Sequence, residues 1–197
     1  MRIGFIGAGN IGGTLARHLA KLGHQVSIAN SRGPESLTAL AAEIGATPVS
    51  IVDAAQAGEI VIISIPTKAV ADLPRELFAN VPSGVVVVDT GNYHPELRDG
   101  RIDAIDQGRL DTQWVARQIG RPVIKAFNNI LAKSLLEKGV PRGTTGRIAL
   151  IGLRRFVGRQ GNSASPCRRS WLRPCRRWRS GQLLAAAARN AGLLSGS

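Results

Sequence analysis

Apolar residues along this chain fall into short unbroken runs separated by stretches with helical spacing. RIGFI (residues 2–6) is the first run, and NIGGTLARHLAKL (10–22) then sets Ile11, Leu15, Leu19 and Leu22 on one helical face. Together they read as strand, Gly turn, helix. HQVSIA (24–29) predicts a second strand, and PESLTALAAEI (34–44) a helix with Pro34 in its first turn and Gly45 just past its end. VIISIP (61–66) follows, then a helical stretch from about Ala69 to Phe78, then VVVVD (85–89), the plainest buried strand. PVIKAF (122–127) and RIALI (147–151) are the fifth and sixth. Continuous Val/Ile runs alternating with helices predict strands covered on both faces. The expected fold is α/β, a Rossmann-like doubly wound parallel sheet with strand order 3-2-1-4-5-6.

Length and charge divide the chain. With 197 residues it can form one domain plus an appendage. Residues 1–150 carry 16 Lys+Arg against 13 Asp+Glu, whereas residues 151–197 carry 10 Arg, no acid and both cysteines, Cys167 and Cys175. The reading is therefore a nearly neutral Rossmann-like domain at 1–150 and a basic tail at 151–197. No apolar stretch reaches the 18 residues of a membrane span, and the start of the chain lacks the pattern of a signal peptide, so a cytoplasmic protein is expected.

Candidate chemistry sits at the carboxyl ends of the strands. Gly7-Ala8-Gly9-Asn10-Ile11-Gly12 lies between the first strand and the first helix, where glycines permit a tight turn, close approach of a pyrophosphate and close helix packing. The second strand ends in Asn30-Ser31-Arg32, where an NAD enzyme usually carries an acid for the ribose 2′-hydroxyl. A hydroxyl and a guanidinium suit a 2′-phosphate instead, so NADP(H) is the expected cofactor; a solvated turn is the plainer reading. Ile65-Pro66-Thr67 and Thr90-Gly91-Asn92 follow the next two strands and are expected to line the ribose and pyrophosphate. Ala126 and Asn128, at the end of the fifth strand, are expected near the nicotinamide, with Asn128 facing its carboxamide or the second substrate. Lys125 lies inside that strand and is expected to pair or snorkel rather than react. Of the three histidines only His94 is placed where it could face substrate. No metal-binding motif or Ser-His-Asp pattern occurs, and hydride transfer needs chiefly two rings held face to face, without a certain catalytic side chain.

RIGFIGAGNIGGTLARHLAKLGHQVSIANSR, VIISIP and KAFNN resemble the NADP-binding oxidoreductases that include coenzyme F420H2:NADP+ oxidoreductase, over about residues 1–150. That resemblance implies hydride exchange between NADPH and a deazaflavin (F420-like) or other flat acceptor. It also implies that Ser31 and Arg32 hold the 2′-phosphate and that the second ring stacks near Asn128. Asn92-Tyr93-His94 and the charge-rich segment 98–118 depart from the family's deazaflavin-binding surface. The alternative is a non-catalytic NADP(H)-binding module or redox sensor. The expected partner is a small-molecule electron acceptor; a homodimer is compatible with the reading, and neither a membrane nor nucleic acid is expected.

The tail reads differently. CRRSWLRPCRRW (167–178) would suit a nucleic-acid arm or a metal pair, but an acid-free, Arg-rich stretch is also what a GC-rich gene yields out of frame. With synonymous codons chosen from Arg169 onward and the first base dropped, the shifted frame reads VAGFDPVDAGG, the ending the family resemblance implies. Trp171 and Trp178 allow one codon each, and both fall where that frame needs them. The expectation is a frameshift near residue 151, natural or from sequencing, with a disordered tail and apolar sheet surface left uncovered.

Overall fold

The strand Ile60–Ile63 is buried at all four positions, as an IVII run predicts when helices cover both faces of a sheet. The computed structural model describes residues 1–138, Thr145 and the pair Leu153–Arg154. The strands are β1 (Arg2–Ile6), β2 (Gln25–Ala29), β3 (Thr47–Pro48), β4 (Ile60–Ile63), β5 (Val86–Asp89), β6 (Ile124–Lys125) and β7 (Leu153–Arg154). They form one sheet in the order β3-β2-β1-β4-β5-β6-β7. β1 to β6 run parallel in a 3-2-1-4-5-6 order, but VIISIP, expected as the third strand beside β2, is β4 and lies beside β1, the place next to β2 being taken by Thr47–Pro48; β7 pairs antiparallel with β6.

The pleat sorts the core into two layers. Ile3, Phe5, Ile60, Ile62 and Val88 pack under α1 (Asn10–Lys21), α2 (Thr38–Ile44) and, through Leu135, α6 (Ala132–Glu137). Ile6, Val61, Ile63 and Val87 face the other way, against α3 (Ile51–Gln56), α5 (Asp111–Gln118) and the segment around Leu77 and Phe78. A short helix α4 (Asp103–Asp106) precedes α5.

Several elements differ from the sequence pattern for identifiable reasons. The helix expected over 69–78 is a 3-10 turn at Lys68–Asp72, because Leu73 precedes Pro74 and is forced to an extended conformation (ψ 146°). The helix expected over 34–44 opens as a 3-10 turn at Pro34–Leu37 before α2, and ends as foreseen at Gly45, in the left-handed region at φ 71°. PVIKAF shrinks to Ile124–Lys125, since Phe127 turns to φ 63° and leaves the strand. β3 and α3 went unpredicted, so the third strand of the sequence reading is β4. RIALI, the boundary at 150 and most of the 151–197 tail lie outside the described residues. Among the described residues no helix is long and apolar enough to cross a membrane.

Candidate functional site

The chain reverses its direction of growth between β1 and β4, and the crevice at the carboxyl ends of these two strands is where such sheets bind ligands. Each glycine after β1 has a separate task. Gly7 sits at φ 109° and donates its N–H to Ala29 O at 2.8 Å, closing the turn over β2. A Cβ at Gly12 would drive into the Gly7 carbonyl, so that glycine sets how closely α1 crosses β1. Gly9 is the N-cap of α1, and a Cβ there would meet nothing within 4 Å. This open cradle lies beside the first turn of a 12-residue helix that has no side-chain cap and no acid in that turn. It fits a phosphate group.

Two adjoining cavities extend from this cradle, of about 530 Å³ and 390 Å³, and they share Gly9, Ser64, Ile65 and Pro66. Gly7, Asn30, Ser31 and Arg32 line the larger. Asn10, Ile11, Thr90, Gly91, Asn92 and Asn128 line the smaller, with His94. Gly12, Thr67 and Ala126 line neither. Gly12 is taken up by helix packing. Thr67 is 1% exposed, and its Oγ1 has no hydrogen-bond partner among the described residues. Sequence reasoning passed over Ser64, which lines both cavities, and Ile51, Ala69, Asp72 and Leu73 at the far end of the larger. Ser64 had a usable signal, as the first residue after a buried strand.

At the end of β2 the Asn30 side chain builds the turn that presents its neighbours. Its Oδ1 accepts from Arg32 N at 2.8 Å and its Nδ2 donates to Ser36 Oγ at 2.9 Å, an Asx-type turn locked by Ser36 Oγ donating to Gly33 O at 2.8 Å. Ser31 and Arg32 are exposed beside the cavity, and the Arg32 guanidinium has no ion pair among the described residues.

The opposite wall is held from beneath. Lys125 Nζ lies 2.8 Å from Asp89 Oδ2 and 2.8 Å from Asp111 Oδ2, and Asp89 Oδ1 accepts Gly91 N at 2.8 Å. Burial pushes the Asp89 carboxyl above its usual range, against the opposing pull of the Lys125 charge and the Gly91 N–H. The ion pair thus fixes the loop after β5, and Lys125 pairs as its place in a strand suggested. Thr90 Oγ1 donates to Ser64 Oγ at 2.9 Å, and Asn92 Nδ2 donates to Asn128 O at 2.7 Å. Phe127, which lines the smaller cavity, is held in the left-handed region, a strained geometry for an aromatic residue that ends β6 and turns Asn128 toward Asn92.

Residues 2–93 match the family model described as NADP oxidoreductase, coenzyme F420-dependent. The matched stretch ends inside the loop after β5, so it contains the glycine turn, Asn30-Ser31-Arg32 and Ser64-Ile65-Pro66, while β6 and Asn128 lie beyond it. Among solved structures the fold is shared with hypothetical protein SMa0349 from Sinorhizobium meliloti, at 27% identity and TM-score 0.70 over 98% of this chain and 82% of that one. A candidate F420-dependent NADP reductase from Arthrobacter sp. FB24 aligns at 20% identity and TM-score 0.60, over 80% of this chain and 74% of its own. No curated protein matches the chain. The match agrees with a doubly wound sheet whose second strand ends without an acid.

Proposed function

We propose that this NADP oxidoreductase relative exchanges hydride between NADPH and a flat acceptor of the deazaflavin type. One observation carries the reading: a cleft crosses the β1/β4 switch point, from Ser31-Arg32, which stand after β2 in place of an acid, to a wall of Asn92, Phe127 and Asn128. Ser31 and Arg32 bind the 2′-phosphate, the guanidinium fork matching its oxygens. The Gly9 cradle and the first-turn N–H groups of α1 take the pyrophosphate, and Ile51, Ala69 and Leu73 offer an apolar face to the adenine. Bound NADPH supplies the hydride itself. The chain's own contribution is positional: Asn92 and Asn128 hold each other, Phe127 gives an apolar surface for ring contact, and Ile65-Pro66 keeps the middle of the cleft rigid. Lys125 is locked between two carboxylates, so proton transfer is not assigned to it.

The test is loss of NADPH absorbance under anaerobic conditions with a panel of flat acceptors, including a deazaflavin. Turnover with the deazaflavin is expected. Tight NADPH binding without turnover of any acceptor would replace the enzyme with a cofactor-binding module or sensor.

A further inference from the structure

Resting on the reading of the cleft as an NADP(H)-dependent oxidoreductase site, we propose that Arg98 determines specificity for the second substrate, by binding a carboxylate or phosphate carried on it.

Arg98 enters the smaller cavity from Pro95–Asp99, a π-helical turn after β5, an irregularity frequent at functional sites. The turn is built around a buried acid. Asp99 is 1% exposed, and its carboxylate accepts from His94 N at 2.8 Å, Lys68 N at 3.2 Å and Arg98 Nη2 at 3.1 Å. Arg98 Nη2 also donates to Asn92 O at 2.6 Å. One corner of the guanidinium is therefore pinned to the same Asn92 whose side chain reaches Asn128. Nε and Nη1 have no hydrogen-bond partner among the described residues, and the side chain is 43% exposed.

Pinning Nη2 holds the guanidinium in place and leaves Nε–H and the Nη1 N–H groups as pre-oriented donors, so an anion is bound at little entropic cost. Asp99 takes a single Nη2 hydrogen and is otherwise satisfied by His94 N and Lys68 N, so Nε and Nη1 stay available to an anion. Arg98 and His94 are the ionisable side chains on this cavity, and no carboxylate lines it among the described residues. Arg32 lies on the other cavity, so the two arginines serve different anions: Arg32 the cofactor's 2′-phosphate and Arg98 an acidic group beside the reacting ring of the second substrate.

Benzoate and its neutral isostere benzamide are suitable flat probes. Each is titrated calorimetrically into the full chain, with and without NADP+, for the wild type, Arg98→Met and Arg98→Lys; NADPH affinity is measured by fluorescence on the same samples. The expected result is that wild type prefers benzoate and Arg98→Met weakens benzoate at least about tenfold, with Arg98→Lys intermediate. Benzamide and NADPH affinities should change less than about twofold, which also shows that the variants fold. A wild type that binds benzoate no better than benzamide overturns the proposal, as does a variant that loses NADPH and benzoate alike, because Arg98 would then serve the cofactor. If wild type fails to bind NADPH, the oxidoreductase reading falls, while the titrations without cofactor still decide whether Arg98 binds an anion.

Discussion

Replacing Lys125 by Met retains most of the aliphatic stem and deletes the ammonium beneath the loop after β5. In the wild type that ammonium is 2.8 Å from both Asp89 and Asp111, and the Lys125 and Asp89 side chains are only 6% and 2% exposed. Without it the buried Asp89 keeps the Gly91 N–H as its main compensation. Breaking a buried pair by removing one partner costs about 3–5 kcal/mol, and the methionine fills enough volume to keep the cavity contribution small. At about 2–4 °C per kcal/mol for a chain of this size, Tm should fall by roughly 6–20 °C. The loss should be smaller at pH 5 than at pH 8. Burial raises the Asp89 pKa and the Lys125 charge pulls it back down, so the Met variant's carboxyl takes up a proton more readily than the wild type's, and its penalty fades as the pH falls. Urea denaturation followed by circular dichroism measures the cost. Adding Asp89→Asn to the Met variant removes the stranded charge and leaves an oxygen for Gly91 N–H, so the double variant should recover at least about 1 kcal/mol through coupling. A Met variant within about 1 kcal/mol of wild type, or strictly additive losses, would refute the ion pair as the support of this wall.

Other perturbations separate cofactor contacts from packing. Gly9→Ala has room for its Cβ and a compatible backbone (φ −73°), so stability should change by less than about 1 kcal/mol while NADPH affinity falls at least about tenfold; a destabilised variant with unchanged affinity would contradict the cradle. Gly12→Ala should do the reverse, losing about 1–3 kcal/mol as its Cβ meets the Gly7 carbonyl. His18 Nε2 pairs with Leu135 O at 3.1 Å and joins α6 to α1, and burial holds its pKa below the ordinary value. Its contribution is therefore full above pH about 6.5 and is lost as the pH falls through the lowered folded value, at no more than about 1.4 kcal/mol per pH unit. His18→Gln should flatten the fall in urea midpoint between pH 7.5 and 5, and an unchanged slope would remove His18 as its source. Sequencing the coding DNA across codon 151 should reveal one missing or extra base relative to a frame that encodes GFDPVDAG; relatives encoding the Arg-rich ending in the same frame would sink the frameshift.

The sheet was legible because its central strands carry the simplest signal in protein sequences, uninterrupted Val and Ile between glycines. Its edges were not. β3 is two residues long and contains Pro48, tolerable only where a strand lacks a neighbour on one side, and no periodicity can be read from so short a piece. α3 did carry a signal: Ser50 Oγ accepts Asp53 N at 3.1 Å, a Ser-x-x-Asp cap readable from the residues alone. For the site, the glycine turn and Asn30-Ser31-Arg32 were legible from their distance along the chain. Arg98 and Asp72 were not, since they reach the cleft through irregular turns whose paths depend on tertiary contacts such as Lys68 N to Asp99. Asn30 shows the same limit. Its position was foreseen, but not that its side chain would be spent on shaping the turn.

The central claim, that Ser31 and Arg32 make this an NADP(H) site, is tested most directly by fluorescence titration of NADPH and NADH against wild type and Arg32→Ala. Wild type should bind NADPH at least about tenfold more tightly than NADH, the worth of one charge-assisted contact. Arg32→Ala should erase most of that preference and leave NADH affinity nearly unchanged. Equal affinities in the wild type, or equal losses for both nucleotides in the variant, would contradict it.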